Sequence, residues 1–344
     1  MKILVILTGG TIGSKVSEKI INVNPAAAYH LIKLYQDRYG TDTEFEVIHP
    51  MNILSENLIP AHWKILYDTL DTVDFDVYDG IIITHGSDTL AYTAAMTGFC
   101  YAHTTIPIIL VASNYAIEDA RSNGLANFYN AVCFIREKKA RGVFAIFQNH
   151  RKENVVYLAT RIKEADTYLD QFSSYGGVDF GRVVEGKFKR TDHVQNPTLE
   201  ELNASEKKLV IRNDTWEKNI LMIHPYPGFD YGSILLNDQT GAVLHCTYHS
   251  ATVCEGEGKY SASEFVRRCK ARGIEVYACS FKQTDNLYAT SAEFLRAGAI
   301  PLLNISSEAA YAKLILAYNQ RSMEAGKFMN TNIFYEVLPN RSWE

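Results

Sequence analysis

The chain has 344 residues, of which 47% are hydrophobic and 21% are charged, with a formal net charge of −5 and an isoelectric point near 6.1. This length and composition predict a globular protein with two domains. The charges are scattered and no apolar stretch reaches 18 residues, which argues against nucleic-acid binding, a membrane span and a secretory signal. The six cysteines form no C-x-x-C pair. We interpret them as buried, reduced thiols and expect a cytoplasmic protein.

Buried strands and amphipathic helices alternate through the first half of the chain. Short apolar runs predict the strands Ile3–Leu7, Phe45–Ile48, Gly80–Thr84, Ile106–Ala112 and Val143–Phe147. A helix from Asn24-Pro25 to Gly40 has an N-cap and a proline at its first position, and further helices are predicted over Asp88–Tyr101 and Ile117–Ile135. This alternation predicts an α/β fold with a mostly parallel sheet and helices on both faces.

A polar stretch separates this region from a second, smaller α/β pattern. We predict an N-terminal catalytic domain over residues 1–187, a linker over 188–218 and a C-terminal domain over 219–344. The predicted strands of the second domain are Ile220–Ile223, Ala242–Cys246 and Ile274–Cys279. Its predicted helices are Ser261–Ala271, which Gly273 ends, and Glu308–Tyr318.

Two hydroxyl-bearing loops follow predicted strands. Thr8–Gly13 (TGGTIG) follows the first strand, and Thr84–Thr89 (THGSDT) follows the third. Because ligands bind beyond the carboxyl ends of parallel strands, the two loops can form one site. Thr11 is then a candidate nucleophile, with nearby backbone N–H groups to stabilise an oxyanion, although Gly9-Gly10 with a capping Thr11 also fits a simple turn. The spacing does not match G-x-G-x-x-G or a P-loop, which argues against nucleotide binding.

These segments resemble a known family, the bacterial-type L-asparaginases. TGGTIG is similar to the first signature of the family, and His85–Ala94 (HGSDTLAYTA) is similar to the second, which usually reads H-G-T-D-T-M. The resemblance spans nearly the whole chain, and the C-terminal segment around Tyr288–Thr290 is similar to the cytoplasmic type I members. It implies an amidohydrolase that converts L-asparagine to L-aspartate and ammonia through an acyl-enzyme.

The resemblance also implies a role for individual residues. Thr11 is the expected nucleophile, and Ser87, Asp88 and Lys163 are expected to activate it or the hydrolytic water. Ser55 is expected to bind the α-carboxylate of the substrate, while Glu56 and Asp88 hold its α-ammonium group. The remaining expected substrate-binding residues are Gly10, Gly86 and Ser113.

Each assignment has a structural alternative. Ser55 and Glu56 also fit a solvated loop, Asp88 an N-terminal helix cap, and Lys163 an ordinary surface lysine. We expect His85 to be structural, with a buried imidazole.

Three departures from the family pattern affect the predicted site. The loop after the first signature normally carries a tyrosine that helps to activate the nucleophile, but Lys19–Asn22 has none, and Tyr29 is predicted to belong to the following helix. Ser87 stands in place of the threonine of the second signature, which frees its rotamer. Asn123 replaces the aspartate of an R-S-D-G segment.

The implied partners are a small amino acid and further copies of the chain, as a homodimer or homotetramer, with no metal or organic cofactor, no nucleic acid and no membrane. A glutaminase or related amidase of the same fold is one alternative. Another is the archaeal subunit that supplies ammonia to tRNA-bound glutamate, although a further domain precedes the first signature there. A third is an amino-acid-binding protein with weak or no activity.

Overall fold

The computed structural model of the chain describes residues 1–17, 20–23, 25–204, 210–281 and 286–339. These residues form two compact units. The first contains Met1–Val210 and Ile333–Tyr335, and the second contains Ile211–Asn332 with the described residues that follow Tyr335. Within these ranges, we find no helix whose length and apolar character would let it cross a membrane.

The described residues of the first unit form ten strands, and eight of these belong to one sheet. In chain order they are β1 (Lys2–Leu7), β2 (Ser14–Ser17), β3 (Ile20–Val23), β4 (Glu44–Ile48), β5 (Gly80–Thr84), β6 (Pro107–Val111), β7 (Gly142–Gln148), β8 (Asn154–Leu158), β9 (Gly181–Val184) and β10 (Lys187–Arg190). The sheet order is β10-β9-β8-β7-β6-β5-β1-β4, and β2 pairs with β3 in a separate antiparallel hairpin. Strands β4, β1, β5, β6 and β7 are parallel to one another, and β8 to β10 pair antiparallel.

The helices of the first unit are α1 (Pro25–Tyr39), α2 (Pro60–Leu70), α3 (Leu90–Cys100), α4 (Gly124–Arg136) and α5 (Leu199–Asn203). Helix α2 illustrates how a helix-starting residue and an apolar stripe produce these helices. Pro60 occupies its first turn, and Trp63, Leu66, Tyr67 and Leu70 place one buried apolar stripe on the core.

The structure confirms the α/β fold and the five strands that were predicted for this unit. Strands β8 to β10 and helix α2 were not predicted. Helix α4 begins at Gly124 rather than at Ile117 because residues 117–123 form a turn, in which Arg121 N donates to Asp119 Oδ1 at 2.9 Å. The predicted N-cap of α1, Asn24, lies outside the described residues.

Part of the predicted linker, residues 188–218, is regular structure in the first unit. Phe188 in β10 is buried against Phe134 and Phe180. Thr198 caps α5, where its hydroxyl accepts from Glu201 N at 3.1 Å and Glu201 accepts from Thr198 N. The polar composition of this stretch therefore reflects capping and exposed strand positions rather than a linker throughout.

The second unit is built on a four-stranded parallel sheet in the order β11-β12-β13-β14. Its elements are β11 (Asn219–Ile223), β12 (Thr240–Cys246), α6 (Ala262–Lys270), β13 (Glu275–Phe281), α7 (Ala289–Ala297), β14 (Ile300–Leu303), α8 (Ser307–Asn319) and α9 (Ala325–Asn330). An apolar cluster that includes Tyr231, Phe265 and Phe294 packs on this sheet. Lys313 of α8 is fully buried, and its Nζ lies 2.7 Å from Glu336 Oε1.

Candidate active site

The first loop approaches the second because its two glycines leave room for backbone. Gly9 and Gly10 have φ angles of 106° and 76°, which glycine adopts readily. Gly10 N donates to Ile53 O at 2.9 Å, and a Cβ atom on Gly10 would lie 2.3 Å from Gly86 N. Any side chain at this position would therefore collide with the second loop. Thr11, which follows directly, starts a short 3-10 turn and is partly exposed.

The second loop is held on its other side by Ser55. A Cβ atom on Gly86 would lie 2.3 Å from Ser55 Oγ and 3.3 Å from Gly10 Cα. The structure thus brings together three of the predicted site residues, and it confirms the convergence of two loops about 75 residues apart. Ser87 and Asp88 come next in the chain and are half-buried and exposed, respectively.

Ser55 also connects to the carboxylate of the second loop. Its hydroxyl, which is buried, donates to Asp88 Oδ2 at 3.3 Å. Thr89 Oγ1 donates to Ser55 O at 2.9 Å and ties the two backbones together. The neighbouring Glu56 is exposed. The Ser55 hydroxyl therefore contacts both the second loop at Gly86 and the carboxylate of Asp88.

A cavity of about 410 Å³ opens beside Ser87 and Asp88. Two buried rings, Phe147 and Phe172, form its apolar wall. The residues lining the cavity are Ser87, Asp88, Asn114, Phe147, Glu164, Ala165, Asp166, Thr167, Asp170 and Phe172. Four of these described lining residues are carboxylates and none of the described ones is a cation, so this part of the lining favours a positively charged group of a ligand. The run of acids that follows Lys163 in the sequence was a signal for this wall that our sequence reasoning did not use.

His85 is buried, as predicted, and both of its ring nitrogens have partners. Nδ1 lies 2.8 Å from Gly86 O, and Nε2 lies 3.0 Å from Thr93 Oγ1. Burial is the main cause that lowers the pKa of this imidazole, while the Gly86 carbonyl and the Asp88 charge act in the opposite direction.

The Gly86 carbonyl determines where the next N–H group points. In a planar trans peptide the C=O and the N–H point in opposite directions. Since the carbonyl of Gly86 faces His85, the N–H of Ser87 faces away from the buried imidazole. Within the described ranges this N–H makes no hydrogen bond to the protein, which leaves it available to a ligand.

Lys163 is positioned by its backbone, but its side chain is exposed. Its N donates to Ser173 O at 2.9 Å, and the preceding Arg161 is buried, with Nε on Tyr335 O at 2.5 Å. In the part of the chain that the structure describes, the ammonium of Lys163 forms no ion pair with Asp88. The structure therefore does not join Lys163 directly to Ser87 and Asp88.

The side chain of Ser113, a predicted substrate-binding residue, does not line this cavity. It is fully buried, and its Oγ donates to Tyr115 O at 2.6 Å and lies 2.8 Å from Ser122 Oγ. Its neighbour Asn114 lines the cavity instead. Asn123 supports that position, because its Oδ1 accepts from Asn114 N at 3.0 Å. The sequence could not separate the two neighbours, since both carry polar side chains.

The family pattern led us to look for a tyrosine in the loop after the first signature. In the structure this loop forms the hairpin β2–β3. Lys19 lies outside the described residues. Tyr29 lies in α1, as predicted, and 53% of it is exposed.

Comparison with known proteins adds to this geometry. Residues 2–195, more than half of the chain, match the family described as "Asparaginase, N-terminal". The chain belongs to the asparaginase family. It is accordingly an enzyme of the amidohydrolase class, with the fold and the two signature loops of that family.

This asparaginase-family chain is similar both to proteins known by sequence and to solved structures. It is 27% identical to a subunit of the glutamyl-tRNA(Gln) amidotransferase of Methanococcus maripaludis strain C5, over 97% of this chain and 80% of the relative, and 27% identical to the equivalent protein of Pyrococcus furiosus, over 98% and 77%. Among solved structures, the thermostable L-asparaginase from Thermococcus kodakarensis superimposes with a TM-score of 0.79 at 24% identity, covering 99% of this chain and 100% of that one. L-asparaginase I from Vibrio cholerae gives 0.75 at 22% identity, with 98% and 99% covered.

Proposed function

We propose that the protein hydrolyses the side-chain amide of L-asparagine to L-aspartate and ammonia, with Thr11 as the nucleophile. The observation that supports this proposal is the close approach of Gly10, which precedes Thr11, to Gly86, which precedes Ser87 and Asp88. A hydroxyl becomes a useful nucleophile only with an adjacent proton acceptor, and in this proposal the second loop supplies one.

The reaction proceeds in two steps. Thr11 Oγ1 attacks the amide carbon, the C–N bond breaks, and ammonia leaves with the proton of the hydroxyl. Water then hydrolyses the ester, which releases aspartate and restores Thr11. The N–H of Ser87 has no protein acceptor in the described ranges and can stabilise the oxyanion of each step.

The carboxylates and hydroxyls around the loops suit the remainder of the substrate. Ser55 binds the α-carboxylate, and Asp88 with Glu56 binds the α-ammonium group, in agreement with the acidic cavity. In this proposal the flexible side chain of Lys163 turns toward Asp88 when the ligand is bound, because the two groups do not touch in the structure.

Ammonia release from L-asparagine, L-glutamine and D-asparagine tests the proposal. We expect release from L-asparagine to fall by at least a hundredfold in Thr11→Ala and to survive in part in Thr11→Ser, which keeps the hydroxyl. Thr72→Ala is the matched control, because its hydroxyl lies at an exposed helix end and bonds only Thr69 O. Activity of Thr11→Ala equal to wild type would exclude the assigned nucleophile.

Glutamine is the second candidate substrate, because the sequence relatives quoted above are named as subunits of an amidotransferase for glutamyl-tRNA(Gln). A preference for L-glutamine over L-asparagine in kcat/KM would favour it. Binding of either amino acid without ammonia release would instead indicate a binding protein.

We further propose a cytoplasmic homodimer or homotetramer with no metal or organic cofactor. Light scattering on the purified protein measures the oligomeric state. A monomer at the concentration of the assay would contradict the proposed assembly.

A further inference from the structure

A continuous chain of hydrogen bonds reaches the second loop from the core of the first unit. Trp63 Nε1 lies 2.9 Å from Thr93 Oγ1, Thr93 Oγ1 lies 3.0 Å from His85 Nε2, and His85 Nδ1 lies 2.8 Å from Gly86 O. Trp63, Thr93 and His85 are at most 3% exposed. No step of the proposed reaction uses these three side chains.

The chemistry of the two ends determines the direction of every bond. An indole N–H can only donate and a carbonyl can only accept. Burial disfavours the charged form of this imidazole. In the neutral ring the proton is on Nδ1, because the other tautomer would place two acceptors against each other at Gly86. Thr93 then accepts from Trp63 and donates to His85 Nε2, and His85 Nδ1–H donates to Gly86 O.

The Gly86 carbonyl has little freedom to turn elsewhere. On the far side, this residue lies against Gly10 and Ser55 so closely that no Cβ atom would fit. The hydrogen bond from His85 Nδ1 therefore orients a Gly86–Ser87 peptide that is already confined. Loss of this donor would change the orientation of Ser87.

We propose that His85 is a positioning residue, whose Nδ1–H holds the Gly86 carbonyl so that the N–H and hydroxyl of Ser87 face the cavity. This inference rests on the proposed function, in which Ser87 acts in the reaction. It assigns to the histidine of the second loop an effect on kcat rather than on substrate binding alone.

Replacement of His85 by the two amide side chains tests the roles of Nδ1 and Nε2 separately. His85→Asn keeps a donor near the position of Nδ1 and loses the partner of Thr93, whereas His85→Gln keeps an acceptor near the position of Nε2 and loses the bond to Gly86. We expect kcat of His85→Gln to be about tenfold or more below that of His85→Asn, since a displacement on the order of 1 Å costs up to about a hundredfold in rate. We expect KM to differ much less between the two variants.

Three measurements decide the proposal. Imidazole ¹⁵N NMR of the wild type should show the Nδ1–H tautomer of His85 at neutral pH, and the Nε2–H tautomer would overturn the proposal. Equal kcat of the two variants at equal melting temperature would also overturn it, because a purely structural role affects both variants through stability. If neither variant folds, the tautomer decides alone.

The proposed function can fail without obscuring this result. If the wild type releases no ammonia from any amide, imidazole ¹⁵N NMR still tests the bond from His85 Nδ1–H to the Gly86 carbonyl, because that measurement needs no turnover. The Nε2–H tautomer would then overturn the positioning role whatever the substrate is.

Discussion

Replacement of Asn123 by aspartate tests how the cavity wall is supported. It exchanges the side-chain NH2 group for an oxygen atom and leaves the shape of the side chain nearly unchanged. The Nδ2 of Asn123 donates to Gln148 O at 2.9 Å, and its Oδ1 accepts from Asn114 N at 3.0 Å. The side chain is 6% exposed. In Asn123→Asp, a carboxylate oxygen replaces the amide donor and faces the carbonyl of Gln148.

These contacts determine how much free energy of unfolding Asn123→Asp loses. A buried acceptor left without its donor costs ~1–3 kcal/mol, and burial of the new charge raises the pKa of the introduced carboxyl. A loss of about 2 kcal/mol corresponds to a fall of roughly 4–8 °C in the melting temperature of a unit of this size. Because the carboxyl has a higher pKa in the folded state, the deficit is largest above that pKa and shrinks as the pH falls, when the protonated group donates to Gln148 O.

Thermal unfolding of wild type and variant between pH 5 and pH 8 measures this effect. Asn52→Asp is the matched control, because Asn52 is exposed and the same chemical change there should leave the melting temperature within about 1 °C. Since Asn123 supports the backbone of Asn114, we also expect KM of Asn123→Asp to rise. Equal melting temperatures of Asn123→Asp and wild type at pH 8 would refute the reasoning.

Three further predictions concern the core and the loops. Gly10→Ala should abolish ammonia release and lower the melting temperature more than Gly40→Ala, since both glycines have positive φ but only Gly10 lacks space for a Cβ atom. Burial lowers the pKa of His245 to about 4, so its contribution of ~3 kcal/mol is complete above pH 6.5 and is lost as the pH falls toward 4, and His245→Gln should flatten the stability profile in that window. Lys313→Met should cost ~3–5 kcal/mol in urea unfolding because it removes the buried ammonium that lies 2.7 Å from Glu336 Oε1, and addition of Glu336→Gln should recover part of that loss.

Local sequence was sufficient for the strands and loops that carry the proposed chemistry. Ile3–Leu7 is apolar at every position, and such a run is stable only when both faces of the strand are covered, as in a parallel sheet. The glycines of the first loop and Gly86 mark places where backbone approaches backbone, and the structure shows those approaches directly. The approach of the first loop, which carries Thr11, to the second loop follows from these two local features.

Tertiary structure decided what the side chains around those loops face. Sequence treated Ser113 as a ligand contact and overlooked Asn114, yet adjacent residues point in different directions, and only the turn that ends at Asn123 determines which of them reaches the cavity. The wall at 164–172 and strands β8 to β10 were missed for a related reason. Strands β9 and β10 are only four residues long, too short for a clear periodic signal, and β8 pairs with β9 across a long irregular segment that contains this wall.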